Sequence, residues 1–311
     1  MTDSGYSGDG SRGTRLGTRE WTANLSRRGV IALGGVKSSF FTRENWFVIG
    51  ATLLLALLVL IVLAGPYVLR DPNAQDLSNA FAGPGSSGYF LGADELGRDQ
   101  FARILAGART TLSIALVADL IVLLVGVFIG TSAALLGGKF EELIMRFVDI
   151  VYSLPGLLVT LIVVFILGPS ARSVVIALSV DGWIVFARLT HGMTKALRRS
   201  AFIESAHVSR CSTWWVVKKH VLPHLVSPIL TVATLELARL ALAESTLSFL
   251  GLGVQPPTVS LGMLLQAGEN NMSVAWWLIT FPGVYLVLFI LSINILAGYI
   301  RMVTDPLQVG R

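Results

Sequence analysis

Hydrophobic residues fall in long blocks in this chain, not at every second or third position. Six windows, 47–69, 111–136, 147–167, 173–193, 226–250 and 276–298, reach the roughly 20 mostly apolar residues that carry a helix across the hydrocarbon core of a bilayer. The first and last contain no charge. The fourth is interrupted by Asp181, Gly182 and Arg188, so a buried or re-entrant segment is its other reading. The pattern predicts an all-α polytopic membrane protein with six transmembrane helices. About 45 mostly polar residues precede the first window, which therefore reads as an uncleaved span and not as a secretory signal.

Between the windows the chain is polar. Residues 1–26 are rich in Gly, Ser, Thr and Arg and are expected to be disordered. Residues 27–46 mix basic and apolar positions, and either lie along the membrane surface or continue a flexible tail. Two connections, 66–110 and 194–225, are too long for simple turns. The organisation expected is a cytoplasmic tail (1–46), a peripheral first span (47–69) and an extracytoplasmic segment (70–110). A five-helix core (111–300) follows, with loop 194–225 inside it, and then a cytoplasmic tail (301–311).

Composition sharpens this picture. Hydrophobic residues make up 53% of the 311 positions and charged residues only 14%, against about 25% charged in soluble domains. Mean hydropathy is +0.70. The net charge of +5 reads as a topology signal and not as a nucleic-acid-binding patch. With the N-terminus inside, the inner segments hold 18 Lys and Arg and the outer ones five, Arg239 lying within a span. Both termini are therefore expected in the cytoplasm. Cys211 is the single cysteine and excludes an intrachain disulfide.

The chain carries no phosphate-cradling G-x-x-x-x-G-K-[ST], no H-E-x-x-H, no CxxC and no G-x-S-x-G. His191, His207, His220 and His224 cluster in or beside loop 194–225, but Pro223 breaks the face that would join His220 to His224. No catalytic residue, metal site or cofactor is expected in this chain.

Ionisable residues inside spans are costly and face protein or water. Asp119, Asp181, Glu236 and Arg239 are the candidate pathway residues. Glu236 and Arg239, three apart, can equally pair on one helix face. Asp149 and Glu244 suit structural or coupling roles, and Pro155-Gly156 reads as a flex point or a static kink. Outside the membrane, Asp94, Glu95, Arg98 and Asp99 form a mixed-charge cluster. It either orders its own loop or docks an extracytoplasmic partner.

Five blocks carry a family resemblance. Loop residues FIESAHVSRCSTWWVVKKHVLPH (Phe202 to His224) resemble the cytoplasmic signature of bacterial ABC importer permeases, which runs Glu-Ala-Ala, three residues, Gly, nine residues, Ile-x-Leu-Pro. Glu204, Ser205 and Ala206 fill the triplet, and His220 to Pro223 the end. Arg210 stands in place of Gly, so either the turn differs or motor contacts offset its strain. LGADELGRD (Leu91 to Asp99) and LSFLGLGVQPP (Leu247 to Pro257) are similar to specific blocks of the C-type permease of dipeptide and oligopeptide importers. RFVDIVYSLPGLL (Arg146 to Leu158) is similar to their third core segment. NILAGYIRMVTDP (Asn294 to Pro306) is a looser likeness that lacks a Gly-Asp pair near Ala297 and Gly298.

The resemblance covers roughly residues 45–306 and implies the type I ABC importer permease fold. It implies a non-catalytic permease subunit in the cell membrane that pairs with a second, B-type permease. Two ABC ATPase subunits would carry the ATP and Mg, and an extracytoplasmic binding protein would deliver di- or oligopeptides. Nickel chelates, haem, sugars or opines are the alternative solutes. Phe202, Ile203, Glu204, Ser205, Ala206, Arg210, Leu222 and Pro223 would form the ATPase-coupling loop. An ion-gradient-driven secondary transporter is the rival of another class. It predicts an internal inverted repeat, which this sequence does not display.

Overall fold

The computed structural model describes residues 43–68, 70–86, 88–198, 215, 219 and 221–304. The chain divides into two compact units, Met1–Phe47 and Val48–Arg311, and the second holds the spans. Among the described residues the regular structure is helical: α1 (Arg43–Val68), α2 (Gln100–Leu136), α3 (Gly138–Tyr152), α4 (Gly156–Leu167), α5 (Ala171–Arg198), α6 (Leu222–Phe249), α7 (Leu261–Asn270) and α8 (Trp277–Thr304). One short 3-10 turn covers Leu77–Asn79. Five of these helices, α1, α2, α5, α6 and α8, are long and apolar enough to cross a membrane. Counted as one span, the bent pair α3–α4 makes a sixth.

Two windows depart from the expected outline. The second is longer, because α2 begins at Gln100, eleven residues before the apolar block. Asp99 supplies the reason: its carboxylate accepts from the backbone N–H of Phe101 at 2.9 Å and of Ala102 at 3.4 Å, which caps the helix where the polar segment ends. The third window is not one helix. It breaks at 153–155 and the two arms diverge by 84°. Pro155 lacks an N–H to continue the helical ladder, and α4 restarts at Gly156.

The core is built around α2 and α5. Ala115, Ala118, Val122, Val174, Ala177, Phe186 and Ala187 are fully buried between the packed helices. Small residues let the two backbones approach. A Cβ on Gly126 would lie 2.4 Å from Trp183 O, and one on Gly130 would lie 2.2 Å from Ala187 O. Gly126 and Gly130 form the small-xxx-small spacing of close helix pairs in membranes. Thr190 adds a hydroxyl that donates to Phe186 O at 2.8 Å. Outward-facing Leu53, Leu57, Leu60, Leu120, Leu124, Phe128, Phe165 and Ile166 are exposed, an apolar girdle suited to lipid or to partner helices.

The segment before α2 is ordered by a knot of polar bonds. Asp94 Oδ1 accepts from the N–H of Leu96 and of Arg98, each at 2.9 Å, and Asp94 Oδ2 pairs with Arg98 Nε at 2.6 Å. Tyr89 donates its hydroxyl to Gly97 O at 3.0 Å. Trp277 Nε1 donates to Ala93 O at 3.2 Å and Gln100 Nε2 to Leu278 O at 3.2 Å, which tie the knot to the start of α8. Nearby, Asp76 has its carboxyl held below the usual range, first by the Ser78 hydroxyl and then by the Asn79 amide.

Candidate functional site

The candidate pathway residues converge. Asp119 lies near the middle of α2, Asp181 in α5, and Glu236 and Arg239 in α6. Arg239 donates through Nε at 2.8 Å and Nη2 at 2.5 Å to Glu236 Oε1, the i,i+3 pair legible in the sequence. It also reaches across helices, from Nη1 to Asp181 Oδ2 at 3.3 Å. Asp119 is buried, and its Oδ1 has no hydrogen-bond partner among the described residues. One turn on, Val122 packs at Gly182, where an added Cβ would stand 3.3 Å from both Arg239 Nη2 and Glu236 Oε1. Three helices thus bring three carboxyl groups around one guanidinium.

The quartet is not sealed. The Arg239 side chain is 43% exposed and that of Asp181 22%, whereas Glu236 is 6% exposed. A half-exposed guanidinium at mid-span cannot face hydrocarbon cheaply, so this side of α5 and α6 faces protein or water. Asp181 also abuts the break between α3 and α4: a Cβ on Gly156 would lie 2.4 Å from its Oδ2.

A second polar group joins α3 to α5. Glu141 Oε1 takes His191 Nε2 at 2.8 Å and Lys195 Nζ at 2.7 Å. Asp149 pairs with Arg188 at 2.6 Å, and the Arg188 guanidinium lies 4.4 Å from the Tyr152 ring centroid. Arg198 donates to Ala134 O at the end of α2. None of the Glu141, His191 and Lys195 contacts was singled out from the sequence. Glu141 lies outside the third window, and only the fold brings it to α5. Glu244 is fully buried and accepts from the Ser248 hydroxyl at 2.7 Å.

The charged cluster before α2 is tight at Asp94 and looser at Glu95. Arg103 Nε approaches Asp94 Oδ2 at 3.4 Å as an ion pair, while Glu95 Oε2 accepts from Asn271 Nδ2 at 3.4 Å. An open cavity of about 510 Å3 is lined in part by Glu95, Arg98, Arg103 and Asn271, and a second of about 550 Å3 shares Asn73, Pro257, Thr258 and Val259 with it.

Of the expected coupling loop, Phe202, Ile203, Glu204, Ser205, Ala206 and Arg210 lie outside the described residues. Leu222 and Pro223 open α6, where a proline costs little because first-turn N–H groups have no helical acceptor. Just before them, the Lys219 ammonium sits 4.9 Å from the Trp215 ring centroid. Among the described residues no group of three or more His, Cys, Asp or Glu could hold a metal ion.

Comparison with known proteins agrees with this architecture. Residues 123–302, more than half of the chain, match the family described as binding-protein-dependent transport system inner membrane component. The glutathione transport system permease protein GsiD of Pectobacterium atrosepticum is 35% identical over 272 residues, covering 86% of this chain and 88% of that protein. The dipeptide transport system permease protein DppC of Bacillus subtilis is 30% identical, covering 85% and 83%. The probable D,D-dipeptide transport system permease protein DdpC of Escherichia coli is 29% identical, covering 89% and 93%. Among solved structures, a chain of the inward-facing MetNI methionine ABC transporter superposes with a TM-score of 0.54 at 18% identity, covering 66% of this chain and 98% of that one. That likeness shows the type I permease fold. By family match, by relatives spanning most of its length and by fold, the chain is a binding-protein-dependent transport system inner membrane component, an ABC transporter permease.

Proposed function

We propose that this chain is one of two unlike permease subunits that together form the passage of an ATP-driven peptide importer. The names of its relatives, permeases of dipeptide, D,D-dipeptide and glutathione transport systems, support peptides as the solute. The observation that carries the pathway assignment is the half-exposed Arg239–Asp181 pair at mid-span. Lipid is an expensive neighbour for it, and a water-filled passage shared with a second permease is a favourable one.

In this reading two ATPase subunits hold ATP and Mg, and dock on loop 194–225, which is anchored to α5 and α6. Nucleotide-driven closure of the ATPases pushes that loop, and the helices swing between inward- and outward-facing arrangements. An extracytoplasmic binding protein delivers the peptide to the face that carries residues 70–99. Both termini are cytoplasmic, as the excess of Lys and Arg in the inner segments favours.

The test is purification of the tagged chain from its native membrane, followed by reconstitution. Two co-purifying ATPases and vanadate-sensitive uptake of a labelled dipeptide are expected. Uptake that survives removal of ATP but collapses with the proton gradient would overturn the reading in favour of an ion-driven carrier.

A further inference from the structure

We infer that Asp181, backed by Glu236 and Asp119, is a resting site for the primary ammonium group of a peptide in transit. The inference rests on the pathway reading above.

The quartet holds more acid than base. Three carboxyl groups stand around one guanidinium, which bonds only two of them, and those unequally. Arg239 gives two short bonds to the same Glu236 oxygen and a single longer one to Asp181. Asp181 Oδ1 takes no bond from a described residue, and Asp181 is more exposed than either of the other two acids. It is the acid that a second cation can approach while Glu236 keeps Arg239 in place.

Behind it stands a second, independent observation, a buried acid short of a partner. Asp119 is 7% exposed, lies close enough to Glu236 and Arg239 to feel their charges, and has a buried oxygen with no partner among the described residues. A buried carboxyl group without a partner is costly in a low-dielectric setting, and a nearby cation relieves the cost. Gly156 makes room for this carboxylate, because any side chain there would occupy the space that Asp181 fills.

An ammonium fits this place better than a second guanidinium. It is a compact point charge with three donors that turn freely, and it needs no planar fork opposite it. Free α-amino groups and lysine side chains share the chemistry. The site would hold the end of the peptide that carries it, for the time the passage takes to open on the other side.

The experiment uses the assembled permease–ATPase complex in nanodiscs without binding protein, so that selection by the binding protein is absent. The probes are tritiated alanyl-alanine, its N-acetyl derivative, and N-acetyl-alanyl-lysine, which carries its only ammonium on a side chain. Wild type is expected to bind alanyl-alanine at least tenfold more tightly than the N-acetyl form. Asp181→Asn is expected to erase that difference and Asp181→Glu to preserve it. Asp119→Asn, a second variant of unchanged shape, is expected to narrow it. Recovery of affinity by N-acetyl-alanyl-lysine means any ammonium serves; its absence means the site reads the α-amino group.

Equal binding of alanyl-alanine and its N-acetyl form by wild type, no binding of either, or an unchanged preference in Asp181→Asn overturns the inference. The pathway reading is checked separately. Leu235, one turn before Arg239 and 41% exposed, is changed to Cys in a Cys211→Ser background and treated with a membrane-impermeant cationic thiol reagent. Labelling together with an unchanged Asp181→Asn removes only the ammonium site. Absence of labelling in every nucleotide state removes the passage as well.

Discussion

Gly97 and Gly88 both hold a positive φ, at 69° and 77°, in the segment before α2, yet they are under different demands. A Cβ at Gly97 would fall 1.7 Å from Asp76 O, a backbone atom, whereas the nearest atom to a Cβ at Gly88 is 3.8 Å away on the Arg70 side chain. Gly88→Ala therefore costs only the left-handed backbone strain, about 1 kcal/mol. Gly97→Ala must also force apart two strands of the Asp94 knot. Limited proteolysis of right-side-out vesicles should show residues 70–99 of the Gly97→Ala protein cut readily from outside, with Gly88→Ala close to wild type. Equal resistance of the two variants would contradict the packing described. The DELGRD block was legible as a charge cluster, but the capping of α2 by Asp99 was not singled out. That Gly97 is pinned by Asp76 was not legible, because the contact joins two irregular stretches that no periodicity relates.

Among the elements, α2 and α5 depend on closeness and not on bulk. Gly126 and Gly130 put backbone against backbone, so even a methyl group collides. Gly130→Val should cost about 1–3 kcal/mol by overpacking, lowering the melting temperature of the purified protein by roughly 3–10 °C on the scale known for domains of similar size. Phe128→Val, between the two glycines on the outward face, should leave it unchanged. The spacing of the two glycines was visible in the sequence, and only their partner was hidden. Helix pairing within a membrane is set by surface shape, which an apolar run does not encode in its hydropathy. The same limit separates Glu236–Arg239 from Asp181 and Asp119. The first pair is local to one helix, while the other two join through the register of three helices.

At the scale of the whole molecule, the blocks of apolar residues located the spans because the bilayer, and not a folded core, sets their length. The apolar blocks run through the break at 153–155, since Leu154 is apolar and a single proline does not lower a window average; it was the Pro155-Gly156 pair, read as a flex point or a static kink, that marked it. The orientation that the charge distribution favours has a direct check. A reporter fused after Arg311, and another before Met1, should signal from the cytoplasm. One inserted in the turn at Gly83–Ser86, where the backbone is exposed, should signal from outside. A reversed pattern would place loop 194–225 beyond the reach of any ATPase.

The elbow between α3 and α4 has a consequence for length. The arms are 15 and 12 residues, each shorter than the roughly 30 Å of bilayer hydrocarbon when measured at 1.5 Å per residue. Set at 84°, their far ends are about 30 Å apart, and laid straight they would be about 40 Å apart. Among the described crossings this is the jointed one, and any opening or folding at Pro155 would change its extent without tilting.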